Sequence, residues 1–285
     1  MLTLDPAMPV LLRPDGAVQV GWDPRRAVMV RPPSGLTASG LASVLREMSS
    51  PSSRSELHRL ATRHGLCDPH GLDEVLDDLT GRGVVRTCAN KPGRTLSIRV
   101  HGDGPLSALM TDGLRRSGAR VASTSHSHAG SAGDLVVLTD ALAPDPRLLR
   151  ELHAAGVPHL AVRVRDGAGL VGPLVIPGVT SCLLCADLHR ADRDAAWPAL
   201  AAQLRHEVGC ADRPTLLATA ALALGQLLKI VNGVRQNGQA GPPPSTWNTT
   251  WEVHVASHAI RARLWPRHPL CSCWDSPLPL PQGRG

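Results

Sequence analysis

Residues 10–30 place apolar side chains at every second position: Val18, Val20 and Trp22, then Val28 and Val30. Pro-Asp-Gly and Asp-Pro-Arg-Arg interrupt the run with turn chemistry, so the segment predicts a small antiparallel meander. The apolar spacing then changes to threes and fours. Leu41, Val44, Leu45 and Met48 fall on one face of a helix over 37–48, and Leu72, Val75, Leu76 and Leu79 on one face of a helix over 71–82. Between them Ser52 and Ser53 ahead of Glu56 make a capping-box pattern that opens a helix over 53–64, and Gly65 supplies its stop. Gly83, Val84 and Val85 begin a closing strand.

Past a linker at 91–95 the pattern becomes that of alternating strands and helices. Leu96, Ile98 and Val100 alternate and run straight into His101-Gly102-Asp103-Gly104-Pro105, after which 106–117 reads as a helix. Strand, glycine turn and helix in that order open a dinucleotide-type fold. Strands over 119–123, 134–139 and 159–164 and a helix over 145–155 continue the alternation and imply a mostly parallel sheet. The helix over 214–231 is Leu and Ala almost all round, interrupted by Gln226 and Lys229, and reads as a core or interface helix and not a membrane span. Residues 238–245, with three consecutive prolines, form a loop. Strands over 247–255 and 259–265 follow, and the tail from 277 has the composition of a disordered segment. The fold class is α/β in two domains, 1–90 and 91–275, with a tail at 276–285.

Composition narrows the function classes. The chain of 285 residues is 42% hydrophobic, which suffices for a core, and lacks both Phe and Tyr, leaving six Trp. Stacking platforms for single-stranded bases are therefore hard to build. The formal charge of +6 comes from Arg scattered through every segment and reads mostly as a solvated surface, so nucleic acid is not the expected partner. With no long apolar run and no targeting pattern at 1–9, a soluble cytoplasmic protein is expected.

Seven cysteines, an odd number in irregular spacing, argue for reduced thiols and against a disulfide framework. Cys182 and Cys185 form one tight pair and Cys271 and Cys273 another. Two such pairs brought together supply the tetrahedral sulfur set of a structural zinc site, closed to water and substrate. Buried or redox-active thiols are the alternative. Cys67, Cys88 and Cys210 read as core residues. A Ser-His-Asp site would need Ser181, His189 and Asp187 or Asp192 to converge, which nothing in the sequence indicates. The charged cluster at 187–194 reads as a solvated helix start, with a partner-binding surface as the functional alternative. No catalytic residue is assigned.

The stretch 172–194 with its C-x-x-C and Asp-Leu-His-Arg, the Leu/Ala helix and the late cysteine pair occur in one order. That order resembles the ubiquitin-activating-enzyme-like superfamily that includes ThiF and MoeB. Within it the likeness is to the Ocin-ThiF type, the cyclodehydratase partners of azole-forming peptide pathways. Residues 8–88 resemble the PqqD-like winged-helix domain, an outline shared with DNA-binding winged helices. The resemblance implies a reduced Rossmann-like ThiF-type domain with a structural zinc, joined to a module that takes a leader peptide as an added strand. It also implies a YcaO-type enzyme as partner and a homodimer through the sheet and the 214–231 helix.

Active members of that superfamily bind ATP and adenylate a carboxylate. Here Gly102 and Gly104 match the phosphate turn, but Ser107 stands at the third glycine, and the second strand ends in Ser123-Thr124-Ser125 with no carboxylate for a ribose. The segment that carries the catalytic Arg and Lys is too short to be present. Asp140 matches the metal-binding aspartate, or serves as a loop cap. These residues read as remnants of a nucleotide pocket, and no bound ATP is expected. The expected function is a peptide-presenting scaffold; an active adenylating enzyme and a winged-helix DNA-binding regulator are the alternatives.

Overall fold

The computed structural model describes residues 1–88, 94–124, 133–235 and 243–274. The linker at 91–93, much of the proline-rich loop and the tail lie outside the described residues. The chain divides into two compact units, Met1–Gly93 and Arg94–Gly285.

In the first unit β1 (Leu2–Leu4), β2 (Val10–Leu12), β3 (Val18–Val20) and β4 (Val28–Val30) precede α1 (Ala38–Glu47), α2 (Arg54–Arg63) and α3 (Pro69–Gly81), and β5 (Val85–Thr87) ends it. The meander is an antiparallel sheet in the order β2-β3-β4, and β1 pairs with β5 as a separate ribbon. Thr37 caps α1, Ser53 and Glu56 make the reciprocal capping box of α2, and Asp68 with Pro69 starts α3. Each cap satisfies backbone donors that a helix start leaves open. The core joins Val18 and Val20 to Leu41, Leu45, Met48, Leu57, Leu72, Leu76 and Leu79. Trp22 departs from the expected alternation. The strand ends at Val20, and Gly21 at φ 102° turns the chain, leaving Trp22 81% exposed.

The second unit runs β6 (Ser97–His101), α4 (Pro105–Arg116), β7 (Arg120–Thr124), β8 (Leu135–Thr139), α5 (Pro146–Ala154), β9 (His159–Arg165), β10 (Ala168–Val175), α6 (Leu183–Ala191), α7 (Trp197–Leu204), α8 (Arg213–Arg235), β11 (Thr249–His254) and β12 (Ala259–Leu264). Its seven-stranded sheet has the order β12-β11-β10-β9-β8-β6-β7. Only half of the expected parallel character is present. β7, β6, β8 and β9 pair in parallel, whereas β9, β10, β11 and β12 pair antiparallel. The reason is local: Asp166 at φ 51° and Gly167 at φ 74° form a tight turn that sends β10 back beside β9 with no crossover helix.

Strand alternation sorts the apolar side chains to two faces. Val137, Leu160 and Val162 meet α4 and α8 on one side, while Val136, Leu138 and Ala161 meet α5, α6 and the four paired cysteines on the other. α8 is long and apolar enough to cross a membrane. It lies across α4, β9 and β10 instead, and Thr219 on α8 rests against Gly169 of β10 where a Cβ would sit. Cys67 and Cys210 are exposed and Cys88 is half-buried, contrary to their reading as core residues. All three lie in connecting segments outside the regular elements, and loop segments keep to the surface.

Gly169→Val is expected to destabilise the second unit by about 1–3 kcal/mol through overpacking. Gly225, on α8 with nothing within 4 Å of an added Cβ, is expected to respond in the opposite sense, Gly225→Ala adding about 0.5–1 kcal/mol. Urea unfolding of the two variants beside the parent checks both signs.

Candidate functional site

The four cysteines arrive from opposite ends of the second unit. Cys182 is the N-cap of α6, its sulfur accepting from the Cys185 backbone N–H, which puts both thiols at the first turn of that helix. Cys271 and Cys273 come from the segment after β12, where a short 3₁₀ turn, Ser272–Trp274, aims them at the same point. The Sγ separations are 3.7 Å for Cys182–Cys185, 3.5 Å for Cys182–Cys271 and 3.6 Å for Cys185–Cys273. Those distances are far longer than a disulfide of about 2.05 Å. They match the edges, about 3.8 Å, of a tetrahedron built on metal–sulfur bonds of about 2.3 Å. All four cysteines are buried.

Charge decides what this quartet can hold. Hydrogen bonding from the Cys182 thiol holds Cys185 down at about 4, whereas burial, with its thiol and thiolate neighbours, pushes Cys273 up to about 12. Four buried thiolates repel one another, and a divalent cation at the centre is the charge that permits full deprotonation.

The neighbouring His189, Asp192 and His268 also lie within metal-ligating distance of one another. Their hydrogen bonds give them another role. The Leu270 backbone N–H donates to Nδ1 of His268, so its Nε2 carries the proton and donates to Asp192 at 2.9 Å. Neither ring nitrogen is then open to a cation. His189 binds the Pro266 carbonyl through Nε2. The trio pins the cysteine-bearing segment to α6.

Arg190 is likewise not the solvated residue that its sequence context suggests. Its guanidinium lies 5.1 Å from the Trp197 ring centroid and 4.7 Å from that of Trp265, and pairs with Asp187 at 2.7 Å. Trp197 also donates to Asp187. Asp192, Arg193 and Asp194 are the exposed members of that cluster. Ser181 is fully buried with its hydroxyl unpaired among the described residues, and Asp187 is held by Arg190 and Trp197, so no Ser-His-Asp site assembles.

The glycine turn presents a second centre. Gly102 at φ 149° and Gly104 lead into α4, whose first N–H groups point at Asp140. The Asp140 carboxylate, 2% exposed, accepts from the backbone of Gly104 at 3.1 Å, Leu106 at 2.9 Å and Ser107 at 3.0 Å. A helix N-terminus offers such donors to an anion, and here the chain's own aspartate takes them. An added Cβ at Gly102 would strike Thr139 and one at Gly104 would strike Asp140. Both glycines thus make room for β8, and Ser107 at the third position fits because its hydroxyl turns back to the Gly104 carbonyl at 2.6 Å. Beside this turn, over the ends of β6, β8 and β9, is a cavity of about 590 Å³ partly closed by the 205–208 segment. The sequence reading named Gly102, Gly104 and Asp140 but missed the cavity and Arg163 in it. Nothing in the sequence of β9 marks Arg163, since both faces of that strand are covered.

Asp140→Ala is expected to cost about 3 kcal/mol, because it strands buried N–H groups and leaves Ala at φ 69°. Asp140→Asn keeps an acceptor and tolerates that backbone, so about 1 kcal/mol is expected. Chemical denaturation of the pair tests the ranking.

No family model matches the chain, and no curated protein matches it. Solved structures do. A heterocyclase in complex with substrate and cofactor superposes with TM-score 0.66 at 17% identity, over 93% of this chain and 38% of that one. The heterocyclase TruD gives 0.65 at 16%, over 95% and 42%. MccB of E. coli, in a structure with AMPCPP and MccA, gives 0.59 at 11%, over 96% and 99%. The chain spans about two-fifths of the two heterocyclases and nearly all of MccB. At these identities the likeness shows the fold alone: a Rossmann-like α/β architecture with a mixed seven-stranded sheet.

Proposed function

We propose that this chain is a peptide-binding scaffold of the Ocin-ThiF type: its first unit captures a peptide segment, and a separate YcaO-type cyclodehydratase modifies it. The observation that carries the reading is the outer edge of β4. That edge pairs with no strand among the described residues, Met29 on it is 63% exposed, and the start of α3 packs against Pro33 just beyond it. An unpaired strand beside a helix is the geometry of peptide capture by strand addition. The PqqD-like winged-helix reading of this unit rests on the same arrangement. MccB has been solved with MccA, and a heterocyclase with its substrate, which makes a peptide the natural ligand class to test.

Adenylation is not part of the proposal. The helix terminus that would receive a phosphate is filled by Asp140, whose carboxylate takes the N–H groups of Gly104, Leu106 and Ser107. Calorimetry with Mg·ATP is expected to give no saturable heat, and pyrophosphate exchange is expected to stay at background. Exchange above background would make the chain an adenylating enzyme.

For the first unit, selection from a displayed library of randomised peptides is expected to yield binders that slow amide exchange at 28–31. Met29→Asp is expected to weaken them at least tenfold without lowering the thermal midpoint, since the side chain is exposed. Binders that protect another surface, or that tolerate Met29→Asp, count against the reading.

The cysteine quartet belongs to this scaffold as a structural zinc site with no vertex open for chemistry. Elemental analysis of fresh protein is expected to return one zinc per chain, with four sulfurs at about 2.3 Å by X-ray absorption. Cys182→Ser and Cys273→Ser are expected to lose zinc and much of a contribution on the order of 10 kcal/mol. Metal-free protein with unchanged stability would rule the site out.

A further inference from the structure

A second cavity, of about 280 Å³, lies between α5 and α6 and ends at the cysteine quartet. It shares only Pro144 with the cavity over the strand ends. Its walls are mainly apolar, with Pro144, Pro146, Leu149 and Leu183 among them. One lining side chain differs from these: the imidazole of His159 on β9, 2% exposed. Its Nδ1 lies 3.0 Å from the Val157 carbonyl, which only accepts, so Nδ1 carries the proton. Burial pushes the ring down to about 4, so it is uncharged at neutral pH and Nε2 is a bare acceptor. Among the described residues Nε2 has no partner. A buried acceptor without a donor costs stability, and the cavity beside it is where a donor can enter.

We propose that this cavity binds an indole-type ring, its N–H donating to Nε2 of His159 and its apolar body against Pro144, Pro146, Leu149 and Leu183. Size, polarity and charge select this class. A cavity of about 150 Å³ takes benzene, so this one takes two fused rings and is too small for a drug-sized ligand. An apolar site with one interior acceptor calls for a single donor, and an indole N–H donates without adding an acceptor of its own. The other polar groups of the lining are at the rim or already bonded. Arg150 and Ser272 are exposed, Asp187 is held by Arg190 and Trp197, and His153 donates through Nε2 to the Cys273 carbonyl at 3.1 Å. A carboxylate drawn by Arg150 would set its lone pairs against that of His159 and leave the acceptor unmet. Cys182 and Cys273, each 8% exposed, close the inner end, and a sulfur quartet with all vertices filled offers the ring no ligation. The indole can come from a free small molecule or from a tryptophan side chain of a peptide.

The test uses the full chain and four probes: indole, 1-methylindole, N-acetyltryptophan amide and benzoate. Binding is followed by calorimetry and by the ¹⁵N resonance of His159 Nε2. Indole or the tryptophan amide is expected to bind saturably and to shift that resonance, with 1-methylindole, which lacks the donor, at least tenfold weaker than indole. Binding of the amide at least as tight as that of indole assigns the site to a peptide side chain, and tighter binding of indole assigns it to a free molecule. Ala154→Phe, at an exposed position of α5 that lines the cavity, is expected to weaken binding at least tenfold without lowering the thermal midpoint. His159→Phe removes the acceptor and is expected to abolish the preference for indole over 1-methylindole. Equal binding of indole and 1-methylindole to the parent, tighter binding of benzoate, an unmoved His159 resonance at saturation, unchanged binding in Ala154→Phe, or no saturable binding at millimolar concentration would each overturn the proposal. The site lies within the second unit, and peptide capture on β4 is scored separately by amide exchange at 28–31, so either reading can fail alone.

Discussion

One buried residue holds the working end of the second unit together, and it does so with every polar atom it has. The Asp140 carboxylate receives the N–H groups of Gly104, Leu106 and Ser107, its own N–H donates to Val162 on β9, and its carbonyl accepts from Gly209. Three parts of the chain that are remote in sequence meet there: the turn into α4, the strand beside β8 and the segment over the cavity. The left-handed backbone at φ 69° is what allows the side chain and the carbonyl to face different partners. Strain of that size persists because the surrounding hydrogen bonds specify the conformation.

The cysteine quartet performs a similar joining task by different means. Its sulfurs belong to the same apolar cluster as Leu148, Leu152 and Val175, so an ion there would be enclosed by core and inaccessible to a substrate. The hydrogen bond between His268 and Asp192 and the stacking of Arg190 between Trp197 and Trp265 fasten the same two segments alongside it. Removing a ligand cysteine therefore opens a seam and does not merely empty a pocket.

Where the chain carries strong periodicity, its structure was legible. The three helices of the first unit and their caps follow from apolar spacing and from Thr37, Ser53 and Asp68, and the strand-turn-helix at 97–116 follows from alternation running into glycine. β1 was not legible because three residues carry no period. β10 was not, because all its residues are buried and a strand covered on both faces shows no alternation. The same lack of contrast hid Arg163, which in sequence is one of several scattered arginines. The four cysteines were legible as a set because chemistry fixes their spacing, whereas Cys67, Cys88 and Cys210, outside any such spacing, were assigned from residue type alone.

Gly102 and Gly104 show that the fold itself can require a glycine motif. Glycine is needed at such a turn because something approaches the backbone closely, and the motif does not say what. In this chain the approaching groups are Thr139 and Asp140, so a Cβ at either glycine is excluded whether or not a phosphate binds. Selection to keep the glycines would then act through folding. The third position is the discriminating one. Ser107 is accommodated through a hydrogen bond from its hydroxyl to the Gly104 carbonyl, which uses space beside the helix terminus. A turn built around its own carboxylate retains the outline of an anion receptor while having already met its need for an anion.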